Sequence, residues 1–361
     1  MLKVAMIGLG KMGKLHMMNC LHMDNVKVEA AADASKGALS KAKALGVRNL
    51  YSDYREMLTK ERELDAAIIT LPHFLHFESV QAALEAGLNV FEEKPMANTV
   101  DECRKIVNLV QQSGRKFTIG HSMRFIEAIE KMKETVEKGH IGDLEVLTLE
   151  EVYNGPFSHP LVPVPVSEWW FDPKKSGGGV LIDLGYHLID LFRFFAGDCK
   201  LLYSCLDHKF NLPVEDSAIA ILNSVNSSVK GIINVGWYQK LIFPKWNLRA
   251  ILHGNAGYIS SEDLVPRNFY VHAMKEGAKN VVRRIAGKKI RPLAYTYFYE
   301  SYYKELRHFF SCIEEDLKPA VTATDGLRII EIIEEAYKRE RMTLTCSNDS
   351  TAEMGKTTKE S

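Results

Sequence analysis

The sequence predicts an α/β protein in two parts: an amino-terminal half with a doubly wound parallel sheet, and a carboxyl-terminal α+β half on an open, mainly antiparallel sheet. Three observations predict it. Up to about residue 121, short apolar runs alternate with helical segments, the pattern of parallel strands joined by crossover helices. Beyond about residue 140 the strands lengthen and alternate in polarity, as strands with one buried face do. The chain has 361 residues, more than one hydrophobic core usually organises.

In order, the first half places strands at 3–7, 26–32, 49–51, 66–71, 89–92 and 116–119, with helices between them. One helix is announced by Thr99 and Glu102, a capping box in which each side chain satisfies a free N–H at the helix start. A polar helix follows Arg124 and ends near Lys138. The second half places strands at 144–153, 217–222, 228–235 and 248–253, and a helix at about 178–195. A loop rich in proline and aromatics, 155–172, precedes that helix. Two late helices are expected at 299–315 and 325–341. The domains read as 1–123 and 124–345, and the small polar tail 346–361 is expected to be disordered.

Composition narrows the function. Lys plus Arg equals Asp plus Glu at 46 each, so no overall field draws the chain to nucleic acid or anionic lipid. The six cysteines are scattered, without a CxxC pair for zinc or a disulfide framework. The first strand begins at Leu2, which leaves no room for a signal peptide, and no apolar stretch could span a bilayer. A cytoplasmic protein with no membrane or nucleic-acid partner is the expectation.

The segment Gly8-Leu9-Gly10-Lys11-Met12-Gly13 ends the first strand and opens a helix. Glycines there permit the tight turn, the approach of backbone to a pyrophosphate and the packing of helix on strand, while free N–H groups favour the phosphates. Asp33, about twenty residues on at the end of the second strand, can accept the adenosine ribose hydroxyls. It would repel a 2′-phosphate, and Ala34 and Ser35 offer no arginine to hold one, so NAD is favoured; Lys36 leaves NADP as the alternative.

Glu93-Lys94-Pro95 follows the fifth strand, at the carboxyl edge where open α/β sheets bind ligands. In the second half, Gly177-Gly178-Gly179 leads to Asp183 and His187, whose spacing puts both on one face of an α-helix. With the glycine turn, Thr70-Leu71-Pro72 and His76, Ala86-Gly87, and the pair Arg124-Phe125, these residues make the chain resemble the Gfo/Idh/MocA family over roughly residues 2 to 340. The resemblance implies a dehydrogenase or reductase acting on one carbinol of a sugar, cyclitol or nucleotide sugar, usually as a homodimer or homotetramer built through the open sheet. It makes His187 the general acid/base, Lys94 the group that stabilises the reacting oxygen, and Asp183 a residue that orients them or the substrate. Gly8, Gly10, Lys11, Met12, Gly13, Asp33, Thr70, Leu71, Pro72, His76, Glu93 and Lys94 fall to the cofactor, and Arg124, Trp169, Asp183 and His187 to the substrate. No metal is required.

The proton chemistry agrees, since imidazole exchanges protons near neutral pH and an ammonium stabilises an alkoxide. Many relatives carry Trp-Arg ahead of the glycine run, whereas Trp169 is followed here by Trp170. His121 could line the cleft, though a histidine satisfied by the strand end is the favoured reading. The basic stretch 267–291 reads as a solvated helix or loop, with a diphosphate clamp or an anionic surface as alternatives. The aromatics Tyr295, Tyr297, Phe298, Tyr299, Tyr302 and Tyr303 read as packing. An NAD-dependent glycoside hydrolase and a non-catalytic ligand sensor remain as other functions this scaffold could serve.

Overall fold

The computed structural model describes residues 1–153, 155, 167–237, 248–291 and 296–357, with side chains as far as Met342. Most of the expected loop 155–172, and Tyr295, lie outside the described residues. The first elements are β1 (Leu2–Ile7), α1 (Lys11–Leu21), β2 (Val26–Ala32), α2 (Lys36–Ala44), β3 (Asn49–Tyr51), α3 (Tyr54–Lys60), β4 (Ala66–Ile69), α4 (His76–Glu85), β5 (Asn89–Glu92), α5 (Val100–Ser113), β6 (Phe117–Ile119) and α6 (Glu127–Glu137). Then come β7 (Leu144–Val152), α7 (Pro173–Ser176), α8 (Tyr186–Ala196), β8 (Cys199–Asp207), β9 (Ser217–Ser224), β10 (Lys230–Gly236), β11 (Leu248–Gly254) and β12 (Gly257–Ser260). The chain ends with α9 (Ser261–Leu264), α10 (Phe269–Ile285), α11 (Glu300–Glu314) and α12 (Ala323–Thr357). The backbone is thus helical into the stretch expected to be disordered, and residues 358–361 lie outside the described residues.

Two compact units form. The first comprises residues 1–138, 174–177 and 261–327. Its six strands run in the order β3-β2-β1-β4-β5-β6, all parallel. Sheet growth reverses between β1 and β4, so the carboxyl ends of those strands bound the crevice where such sheets take ligands. Val4 and Met6 of β1, Ala31 of β2, Ile68 of β4 and Phe91 of β5 are fully buried. The whole of β4, Ala-Ala-Ile-Ile, is buried, as expected for a parallel strand covered on both faces. Leu306, Phe309 and Phe310 of α11 complete this core. Each of these side chains larger than alanine stabilises the fold by roughly 1.5–3 kcal/mol.

The second unit comprises residues 139–173, 178–260 and 328–361. Its sheet runs β12-β11-β7-β10-β9-β8. The pair β7–β10 is parallel and the other pairs are antiparallel. Helix α8 covers one face: a Cβ on Gly231 of β10 would lie 2.4 Å from Phe192 Cδ2, so only glycine permits this approach. Two strands escaped the sequence reading. The register of β8 shifts between Leu201 and Tyr203, which breaks the period-two pattern, and β12 is only four residues long.

Candidate active site

The glycine loop is held from two sides. Gly8 adopts φ +89°, and a Cβ there would lie 2.8 Å from Thr70 O. A Cβ on Gly13 would lie 2.2 Å from Gly8 O, so α1 packs on the loop with no room for a side chain. Thr70, at the end of β4, donates its hydroxyl to Gly8 O at 2.8 Å and its N–H to Ile7 O at 2.8 Å. Gly10 differs: a Cβ there would meet nothing within 4 Å. It is also the N-cap of α1, and no side chain caps that helix start. Lys11 is exposed and Met12 half-buried beside it. Open space above uncapped N–H groups is the setting that accepts a pyrophosphate.

Asp33 is joined to the same loop. One carboxylate oxygen accepts Leu9 N–H at 2.6 Å and the other accepts Ser35 N–H at 2.7 Å. Each oxygen keeps a lone pair for a ribose hydroxyl. The residues therefore fit NAD: cradle, helix start and carboxylate lie at one strand edge.

On the other side of the crevice, β5 runs into Glu93-Lys94-Pro95. Glu93 accepts from Lys94 N–H at 3.3 Å, and its other oxygen lies 2.6 Å from His16 Nε2 on α1. The turn that carries Lys94 is thereby tied to the helix that opens at the glycine loop. Glu305 of α11 joins them; one atom from each of His16, Glu93 and Glu305 lies within 4.8 Å of the others, and all three residues are buried. Tyr302 lies in the same buried region, and burial raises its hydroxyl well above the usual range, with Glu93 adding to the effect.

His76 is fully buried, with Nδ1 2.7 Å from Pro95 O and Nε2 2.8 Å from Leu71 O. It braces the end of β4 against the Glu-Lys-Pro turn. Burial lowers its pKa and lowers that of neighbouring His73 still further. His73 Nδ1 lies 2.9 Å from Ser176 O, and Asn98 donates to Lys175 O at 2.9 Å. Lys175 and Ser176 are thus held by side chains of their own unit. Arg124 donates to Ala320 O at 3.0 Å, and His121 is buried at the end of β6.

In the second unit, Asp183 is buried and accepts from Tyr153 OH and Trp237 Nε1, each at 3.3 Å. It sits in a single π-helical turn, Leu181–Gly185, that leads into α8. The α-helical spacing expected for Asp183 and His187 is therefore widened at this point, a local feature frequent at functional sites. His187 is half-buried in the first turn of α8. Trp169 and Trp170 stack on each other, with ring centroids 4.9 Å apart.

The turn is anchored by a residue the sequence reading missed. Glu215 accepts from Gly179 N–H at 3.0 Å, Leu181 N–H at 2.9 Å and Tyr337 OH at 2.8 Å. A Cβ on Gly178 would lie 1.9 Å from Tyr337 OH and one on Gly179 1.9 Å from Glu215 O, so the glycine run is what lets this network close. Burial pushes the Glu215 carboxyl up to about 7 from 4.5, against the pull of its hydrogen bonds. A folded-state pKa above the unfolded value means that the native state holds the extra proton between these values, so stability falls as pH rises from about 4.5 to 7. Glu215→Gln is expected to remove that slope, worth on the order of 3 kcal/mol at full ionisation. Thermal midpoints of both proteins from pH 5 to 8 check it; a constant difference across the range would exclude Glu215 as the titrating group.

Comparison with known proteins agrees with this geometry. Residues 2–121 match the family described as "Oxidoreductase family, NAD-binding Rossmann fold" and residues 129–260 match the "GFO/IDH/MocA C-terminal domain". An oxidoreductase of Bacillus subtilis, YrbE, is 29% identical over 53% of this chain and 52% of its own length. A myo-inositol 2-dehydrogenase of Thermotoga maritima is 25% identical over 90% of this chain and 92% of that protein. The fold is shared with scyllo-inositol dehydrogenase of Lactobacillus casei, solved with NAD(H) and scyllo-inositol, at TM-score 0.76 and 22% identity over 94% of this chain and 97% of that one. With both halves matched in order and the nucleotide cradle intact, the chain belongs to the GFO/IDH/MocA family of NAD-binding oxidoreductases.

Proposed function

We propose that the protein moves hydride between NAD and one secondary carbinol of a cyclitol or sugar, with Lys94, Asp183 and His187 as the working side chains. NAD, when bound, supplies the hydride acceptor. The chain's own part concerns the carbinol oxygen. As the carbon gives up hydride, that oxygen gives up a proton; His187 holds the proton, and the Lys94 ammonium stabilises the negative charge that develops. Asp183, fixed by Tyr153 and Trp237, orients the imidazole or a substrate hydroxyl.

The observation that carries this reading is the nucleotide cradle, in which Asp33 accepts Leu9 N–H beside the open, uncapped start of α1. The relatives named for inositol dehydrogenation support the substrate class. The outward face of the second sheet leaves Tyr203 and Ile219 about half exposed, at 54% and 46%, which supports pairing of subunits through that face.

Reduction of NAD at 340 nm across a panel of cyclitols, sugars and nucleotide sugars tests the reading. Turnover of a polyhydroxylated ring with net NADH is the expected result; release of an aglycone without net NADH would replace it with glycoside hydrolysis, and no turnover of any panel member would refute the substrate class.

Cofactor choice is tested at Asp33. Removing its carboxylate by Asp33→Ala is expected to weaken NAD binding by about 1.5–3 kcal/mol, the worth of charge-assisted hydrogen bonds. NADP affinity should hold or improve. Calorimetric titration with both dinucleotides checks it, and equal losses for the two would remove Asp33 from the ribose site.

A further inference from the structure

Helix α10 is turned inside out. Of the side chains along Phe269–Ile285, the one that is fully buried is Glu276, which pairs with Lys279. Tyr270, Met274, Val281, Val282 and Ile285 are 60–84% exposed. At 100° per residue these five, with Val271 and Ala278, fall on one arc of the helix, opposite the face on which Phe269 and His272 pack against Tyr297. No described residue covers the arc. Cations rim it: Lys275 and Lys279 stand on one side and Arg284 on the other, with Lys288 just beyond the helix end. Lys275, Arg284 and Lys288 are exposed and make no ion pair among the described residues. The stretch 267–291 has no exposed carboxylate.

We infer that α10 is an in-plane docking helix for an anionic lipid bilayer, a role beyond the oxidoreductase reading and contrary to the sequence-based expectation of no membrane partner. Charge decides among occupants. A second copy laid antiparallel on the stripe would bring Lys275 and Lys279 against the same lysines of its mate, like charges at close range. A convex helix ridge also offers another protein no groove, whereas a bilayer surface accepts an apolar ridge and supplies the negative charge that its rim lacks. No described helix is long and apolar enough to cross a membrane.

Flotation of the full-length protein with vesicles tests it. Phosphatidylcholine vesicles containing about a third phosphatidylglycerol should retain the protein on the order of a hundredfold better than neutral ones, the contribution expected of three free cations, with retention falling as salt rises. Val281→Asp with Ile285→Asp should abolish retention and leave the thermal midpoint and dinucleotide binding unchanged. Lys275→Glu with Arg284→Glu should abolish the preference for anionic lipid. Absence of binding to anionic vesicles, equal binding to neutral ones or unaltered retention of the aspartate variant would each overturn the proposal. So would a wild-type oligomer that the aspartate variant converts to monomer without any vesicle binding, because the stripe would then be a subunit interface. A stoichiometric complex with an acidic protein that replaces lipid binding would overturn it equally.

Discussion

Alanine in place of His187 is expected to lower kcat by about 10²–10⁴-fold, the usual worth of a positioned general acid/base, and to flatten the acid limb of the pH–rate profile. Lys94→Ala is expected to cost about 10²–10³-fold, comparable with the loss of one donor to a developing oxyanion. Neither side chain is buried in a core, both being half-buried, so the thermal midpoints should stay near wild type. Steady-state rates with the preferred polyol, measured between pH 6 and 10, check both. A His187→Ala enzyme that keeps wild-type kcat and its pH limb would show that another group carries the proton.

The nucleotide cradle makes the second strong prediction. A Cβ at position 13 would sit 2.2 Å from Gly8 O and 2.7 Å from Thr70 Oγ1. The first of these is backbone and cannot move without shifting α1 off β1. Gly13→Ala is therefore expected to cost about 2–4 kcal/mol of stability and to abolish measurable NAD binding. Gly10→Ala is its counterpart. With nothing within 4 Å, the extra methyl harms no contact in the protein, yet it projects where the pyrophosphate must approach. Its thermal midpoint should be unchanged and its NAD affinity reduced by about tenfold or more. If Gly10→Ala bound NAD as wild type does, the cradle would lie elsewhere on the loop.

Much of this was legible in the residues because local patterns carried it. The parallel strands were readable because short runs rich in apolar residues alternate with helical segments; β2, β3 and β5 fall at the expected residues. Thr99 caps α5 as its sequence signature implies, accepting from Glu102 N–H. The glycines and Asp33 were readable because their spacing answers to one geometric demand. What escaped was non-local. That Glu215 reaches back to Gly179 and Leu181, or that His16 meets Glu93 across 77 positions of sequence, depends on tertiary packing, and a carboxylate before a strand carries no mark of its partner. His76 was read as a cofactor contact; its place between Leu71 O and Pro95 O shows how it can serve that region as a brace. The direction of α10 could not be read at all, since periodicity locates an apolar stripe without saying whether it turns toward a core or away.

The decisive question is whether position 94 and position 187 serve the same oxygen. Single-turnover hydride transfer in wild type, Lys94→Ala, His187→Ala and the double variant answers it. Groups acting together on one alkoxide give strongly non-additive losses, so the double variant should be within about tenfold of the worse single variant. Losses that simply multiply would mean that the two side chains act independently, and the shared mechanism would fail.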